Sequence, residues 1–232
     1  MFVSIIMPAF NEGSRILDTI NYLSDIKLID EIIVVDDGSS DDTYFKVKDL
    51  DKVKAIKLDV NKGKGNAVNI GIQNISNESE IVVFLDADLK ESSKDAYKLI
   101  VPIIENQADV TIAQFPRAKT KGGFGFVKNL AKNGVKYFTN KELTSVLSGQ
   151  RGFKREVINR FVEIPSGYGM EVGMTIDILN MGYEIKEIPV NMTHRETKRD
   201  LKGFIHRGRQ FYHILKVLIA YYFKKDKGCN KC

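Results

Sequence analysis

The chain has 232 residues, 43% apolar and 28% charged, with 35 Lys plus Arg against 30 Asp plus Glu and a net charge of +5. That balance suits a folded domain and excludes a disordered chain. The basic surplus sits at one end: His194 to Cys232 holds 11 basic and 3 acidic residues, and the rest 24 and 27, so a nucleic-acid-binding domain that is basic throughout is excluded.

The first predicted element is a β-branched apolar run, Phe2 to Met7, ending in Pro8-Ala9-Phe10-Asn11-Glu12. A helix pattern follows over Arg15 to Ser24. The Asn11-Glu12 turn reads either as a cap for that helix or as part of a site. A second strand, Ile32 to Val35, runs into Asp36-Asp37-Gly38-Ser39. That acidic turn either starts the Asp42 to Leu50 helix or accepts a hydrogen bond from a nucleobase. A third strand is expected over Val53 to Leu58. After it, Asn61-Lys62-Gly63-Lys64-Gly65-Asn66-Ala67 opens a helix over Gly65 to Ile75. It carries no G-K-[ST], so it is not a P-loop. Its glycines let the backbone approach a ligand, with Lys64 facing phosphate.

Ile81 to Leu85 is a fourth strand and ends in Asp86-Ala87-Asp88. Alternation points both carboxylates to one side. This is a hard-oxygen pair suited to Mg²⁺ or Mn²⁺, or else a solvated strand end. A helix over Asp95 to Glu105 and a strand over Val110 to Ala113 follow. Apolar strands alternating with helices predict an α/β fold, a mostly parallel sheet covered on both faces, with ligands at the carboxyl edge.

Beyond Ala113 come the basic glycine loop Lys119 to Gly125 and a helix to about Lys141. Ser145 to Phe153 reads as strand and turn, Arg155 to Phe161 as a short helix. Tyr168 to Gly182 then predicts a helix, Glu184 to Val190 a strand, and Asp200 to Phe223 a helix. The expected organisation is one domain over residues 1–194 and a basic helical segment over 195–232. Cys229 and Cys232 cannot form a disulfide framework, nor can one C-x-x-C complete a zinc site. Met1 to Pro8 lacks the basic start of a secretion signal. The run Ile214 to Phe223 is broken by Lys216 and falls short of the roughly 20 residues that span a bilayer. A cytoplasmic location is expected, or a peripheral one at the inner face of a membrane.

The order of these motifs carries a resemblance. Val3 to Glu12, Glu31 to Thr43, Gly63 to Ala67 and Phe84 to Asp88 together resemble the nucleotide-sugar-binding half of family 2 glycosyltransferases of the GT-A fold. The resemblance implies a metal-dependent glycosyltransferase. It assigns the nucleotide to Pro8, Ala9, Asn11, Glu12, Asp37, Lys64 and Asp86 (Asp86 on the ribose or on the metal), and a divalent metal (Mg²⁺ or Mn²⁺) to Asp88, with His194 closing the metal site. Ser148 to Val157 is similar to the acceptor segment of family 2 enzymes, including polyprenyl-phosphate sugar transferases. Ser166 to Gly173 is similar to the segment of glucosyl-3-phosphoglycerate synthases whose glutamate contacts the donor sugar. The resemblance implies Glu171 and Asp88 as catalytic residues, Arg151, Gly122 and Gly123 at the acceptor, and Arg195 at the acceptor, the pyrophosphate or an anionic lipid. Lys121 to Gly125 resembles the glycine-rich helix start that takes the acceptor phosphate in the same enzymes, and departs from it at Phe124, where an arginine is expected.

The acceptor stays open between a small phosphate and a lipid phosphate. His194 is alternatively a surface histidine. The final helix, basic and aromatic, reads as packing on the domain or on a homodimer partner, or as lying in a membrane interface. A non-catalytic nucleotide-sugar-binding module and a nucleotidyltransferase are the competing classes. Intact Asp86 and Asp88 speak against the first. The second lacks its glycine-rich, basic loop after the first strand.

Overall fold

The apolar runs become the centre of a seven-stranded sheet. In the computed structural model these are β1 (Phe2–Ala9), β2 (Glu31–Asp36), β3 (Val53–Lys57) and β4 (Ser79–Phe84), with β5 (Val110–Gln114), β6 (Arg151–Lys154) and β7 (Ile185–Pro189) beyond them. The structure describes residues 1–116, 125–161, 163–164, 167, 169–193 and 201–229, with side chains of the last segment described over 207–223. The helices are α1 (Ile16–Ser24), α2 (Thr43–Val47), α3 (Lys64–Asn74), α4 (Ala96–Ile104), α5 (Phe126–Thr139), α6 (Arg155–Ile158), α7 (Met170–Asn180) and α8 (Leu201–Cys229).

The strand order is β3-β2-β1-β4-β6-β5-β7. All neighbours are parallel except β6, which runs antiparallel to both β4 and β5. This refines the expectation that every strand presents its carboxyl end on one edge. β6 enters the sheet from that edge, so Phe84 lies opposite Arg151. Antiparallel neighbours need no crossover to the far end of the sheet, so the chain can leave β5 and start β6 at the same edge.

Alternation divides the core. Val3, Ile5 and Met7 face one layer, against Ile16 and Ile20 of α1 and Leu99 and Ile103 of α4. Ile6, Ile33, Val82 and Phe84 face the other, against Val68 of α3 and Met170, Met174 and Ile178 of α7. Helix α7 carries a second apolar face. Val172 and Ile176 join Ala131 and Val135 of α5 and Ile214 and Leu218 of α8 in a third cluster. Helices α5 and α8 thus form an outer layer, held to the sheet through α7. The final helix packs on the domain, as one of its expected readings held. Gly134 makes that close approach possible: a Cβ there would lie 2.5 Å from Leu218 Cδ2.

Candidate active site

The carboxyl ends of β1, β2 and β3 finish level, with Ala9 opposite Asp36 and Asp36 opposite Lys57. The loops beyond them are knitted together by the residues that the sequence singled out. Asn11 takes a left-handed φ of 56°, a conformation asparagine tolerates better than most residues. Its amide donates to Ser39 Oγ at 2.8 Å, and its Oδ1 accepts from the Ser40 amide at 2.9 Å. The Glu12 amide donates to Thr43 Oγ1, and its carboxylate pairs with Arg15 at 2.6 Å. Asp37 is 3% exposed. Its two oxygens accept from the amides of Lys62 (2.9 Å) and Gly63 (2.7 Å). The turn between them needs glycine: Gly38 has φ +73°, and a Cβ there would stand 2.7 Å from the Asn61 nitrogen. Pro8 and Ala9 belong to β1 itself, and the Ala9 carbonyl accepts from the Asp37 amide at 2.8 Å.

A second cluster forms where β4 ends and β6 begins. Lys64, the first residue of α3, places its Nζ 2.5 Å from Asp86 Oδ1. Gln150 Nε2 donates to Asp86 Oδ2, also at 2.5 Å. Gly149 leaves room for this: a Cβ there would lie 2.6 Å from Lys64 Nζ and 3.7 Å from Glu171 Oε1. Glu171 sits in the first turn of α7, where a carboxylate is favoured by the helix dipole. Burial lowers the Lys64 pKa, but the charges of Asp86 and Glu171 outweigh it and raise the ammonium above its ordinary value. Burial pushes the Arg151 guanidinium down to about 10, against the pull of Glu171. Two cations therefore answer two carboxylates across Lys64, Asp86, Arg151 and Glu171.

Asp88 follows in a turn, half-buried. Among the described residues it has no hydrogen-bond or ion-pair partner, which distinguishes it from Asp86. No three His, Cys, Asp or Glu side chains converge into a preformed metal cage among the described residues. Mg²⁺ and Mn²⁺ do not require one, because they commonly take one or two carboxylates and fill the shell with water and substrate phosphate. The donor set at Asp88 fits that chemistry.

Arg151 departs from the expectation of an acceptor contact. It is 1% exposed. Its Nε donates to the Ser148 carbonyl at 2.8 Å, Nη2 to the Val146 carbonyl at 2.6 Å and Nη1 to Thr175 Oγ1 at 3.0 Å. The cause is the position of β6 in mid-sheet, which puts its first side chain beneath α7. Arg151 braces the turn that delivers Gly149 and Gln150. Gly122, Gly123, His194 and Arg195 lie outside the described residues.

Sequence reasoning missed the roles of Gln150, Gly149 and Asn69. Asn69, in the middle of α3, donates to the Ile164 carbonyl and accepts from the Ile164 amide, both at 2.8 Å. It holds the segment that leads into α7. A mid-helix asparagine is an unfavourable choice for the helix alone, and that was its signal. Asp36 Oδ2 and Asn66 Nδ2 are buried without a hydrogen-bond partner among the described residues.

Three comparisons bear on this arrangement. The sequence model of glycosyl transferase family 2 matches residues 4–162. A UDP-N-acetylglucosamine–dolichyl-phosphate N-acetylglucosaminyltransferase of Methanococcus voltae is 29% identical over 178 residues, covering 67% of this chain and 70% of the relative. Glucosyl-3-phosphoglycerate synthase of Mycobacterium tuberculosis is 30% identical over 197 residues, 75% of this chain and 60% of that protein. The crystal structure of the latter enzyme with Mn²⁺, UDP and glucosyl-3-phosphoglycerate superposes with a TM-score of 0.76. It is 25% identical and covers 94% of this chain and 79% of that one.

Proposed function

The chain belongs to glycosyl transferase family 2, and on that premise we propose that it moves a sugar from a UDP-sugar, UDP-glucose in the first instance, to a phosphate-bearing acceptor. One observation carries the reading: β4 and the antiparallel β6 bring together, at the carboxyl edge of the sheet, an Asp86 paired with Lys64 and an Asp88 that has no partner among the described residues. A carboxylate with no partner among the described residues, two positions after the Lys64-bound Asp86, suits a divalent cation carried by a diphosphate.

The nucleoside is assigned to the loops of Pro8, Ala9, Asn11, Glu12 and Asp37. Asp37 serves by holding the Lys62-Gly63 backbone in place beside it. Asp86, fixed by Lys64 and Gln150, faces the ribose. Asp88 holds the Mg²⁺ or Mn²⁺, with His194 as a further ligand by resemblance. When bound, the cation supplies Lewis-acid stabilisation of the charge that grows on the departing UDP. Glu171 is assigned to the sugar, as base in an inverting reaction or as an orienting group in a retaining one. Gly122, Gly123 and Arg195 are assigned to the acceptor by resemblance alone.

A polyprenyl-phosphate acceptor is the second reading. The methanococcal relative, whose name specifies dolichyl phosphate, favours it, as do the exposed aromatic side chains of α8. The test supplies UDP-sugars and Mn²⁺ with either 3-phosphoglycerate or a detergent-dispersed polyprenyl phosphate, and follows UDP release. Release with one acceptor assigns it. Asp88→Asn is expected to cut turnover about 10²- to 10³-fold, the usual effect of removing a group that stabilises transition-state charge. Because Asp88 has no partner among the described residues, the variant keeps its fold. Pyrophosphate release in place of UDP would point to nucleotidyl transfer, and undiminished turnover by Asp88→Asn would remove the metal assignment.

A further inference from the structure

Over residues 207–223, helix α8 has two apolar faces, and the rest of the described domain covers one of them. Ile214 and Leu218 are buried against α5 and α7, and Tyr221 Oη donates to the Gly173 carbonyl at 3.1 Å. On the adjoining face, Tyr212 (64% exposed), Leu215, Ile219 (47%) and Tyr222 (48%) follow one another at helical spacing and point outward. Helix α5 adds Phe126 (67% exposed) and Tyr137 (58%). Tyr137, Ile219 and Tyr222 line one groove between the two helices. An exposed apolar surface of this kind, built from aromatic rings, marks a site of contact.

Charge identifies what the surface meets. Neither α5 nor residues 207–223 of α8 contain any Asp or Glu, while Lys128 and Lys132 of α5 and Arg209 and Lys216 of α8 do carry charge. Arg209, Lys216 and Lys128 are exposed. A second copy packed on this face about a two-fold axis would set these cations against themselves. An anionic bilayer supplies the opposite charge to the basic residues and an interfacial region to the Tyr and Phe rings. No helix of the described residues is long and apolar enough to cross a membrane, so the contact is a helix lying on the surface.

We propose that the outward face of α5 and α8, centred on Ile219, Tyr222 and Tyr137, docks the protein on an anionic lipid bilayer. The inference deepens the lipid-acceptor reading and rests on it for the purpose of docking, though not for the binding itself. The inner side of the same helix touches the turn before α7. A Cβ at Gly167 would meet His213 Nδ1 at 2.7 Å, and one at Gly169 would meet Val217 Cγ2 at 2.6 Å. Docking therefore sets the bilayer about one helix diameter, ~10 Å, from the turn that leads to Glu171.

The experiment is co-sedimentation of the full chain with vesicles, in the absence of any acceptor. Phosphatidylcholine vesicles are compared with vesicles of phosphatidylcholine and phosphatidylglycerol. Binding is expected only to the mixed vesicles, and is expected to weaken with salt. Arg209→Ala/Lys216→Ala should weaken it about 25-fold, at about fivefold per basic residue near an anionic surface. Ile219→Glu/Tyr222→Glu should weaken it at least as much. Both pairs are surface substitutions, and unchanged melting temperature and UDP binding verify the fold. If the Glu pair misfolds, the Arg209/Lys216 pair still decides. The proposal is overturned if the native chain ignores the mixed vesicles or if the folded variants bind them undiminished. It is equally overturned if sedimentation velocity shows a dimer that Ile219→Glu/Tyr222→Glu dissolves. UDP release with a soluble acceptor and no vesicle binding would leave glycosyl transfer standing and remove only the docking face.

Discussion

Gly149 shows how a residue without a side chain shapes the site. Its missing Cβ is the space that the Lys64 ammonium occupies on its way to Asp86. Gly149→Ala should displace Lys64 and leave Asp86 without its counter-charge. The group that must move is the end of a flexible chain, so the stability cost is small, under about 1 kcal/mol. The strain of overpacking a rigid core, at about 1–3 kcal/mol, is avoided. The expected outcome is a turnover reduced at least tenfold with a melting temperature nearly unchanged, read by UDP release and thermal unfolding on one preparation. At this scale the acids were legible in the sequence, because Asp86 and Asp88 stand two apart at the end of an apolar run. Their difference was not. Asp86 is neutralised by Lys64 and hydrogen-bonded by Gln150, which lie 22 and 64 residues away, and no local pattern records a contact of that range.

Among the elements, the α5–α8 contact balances two opposed effects. In an isolated helix, replacing Gly134 by alanine would stabilise by about 1 kcal/mol. Here the new methyl would stand 2.5 and 2.7 Å from the two Leu218 δ-carbons. Leu218 is only 9% exposed and is held in the cluster with Val135 and Ile214. Overpacking of about 1–3 kcal/mol should win. Gly134→Ala is therefore expected to lower the urea midpoint, with Leu218→Ala in the same chain relieving part of the clash. Strands and helices were read within a few residues: the expected strand over Ile32 to Val35 is Glu31–Asp36, and the expected helix over Gly65 to Ile75 is Lys64–Asn74. What hydropathy could not show was the direction of β6, because a short strand reads the same whether its neighbours run with it or against it. The burial of Arg151 followed from that direction, and the acceptor assignment made from sequence did not anticipate it.

Over the described residues, the acids of the candidate site and the cations of α5 and α8 belong to different layers of the fold. Asp37, Asp86, Asp88 and Glu171 gather near one sheet edge, while α5 and α8 present a basic, aromatic exterior. A ligand that binds only the folded chain stabilises it by mass action, by about 2.7 kcal/mol at a hundredfold excess over Kd. For a chain of this size that corresponds to a rise in melting temperature of about 5–10 °C. UDP with Mn²⁺ is expected to produce it, chelation of the metal to remove most of it, and Asp88→Asn to abolish the metal-dependent part.

Local order determined a great deal without the structure. Continuous β-branched runs alternating with helical periodicity required a covered, mostly parallel sheet, because only such a sheet buries both faces of its strands. The placement of acids and glycines at strand ends pointed to the carboxyl edge as the candidate site. Tertiary structure alone decided which of those groups remains available to a ligand. Asp37 is occupied by two backbone amides, Asp86 by a lysine and a glutamine, and Arg151 by two carbonyls and a threonine. It also decided which face of α8 the domain covers and which it leaves outward. Both outcomes depend on contacts between segments far apart in the chain, formed only when β6 enters the sheet backwards and α7 is packed on both sides.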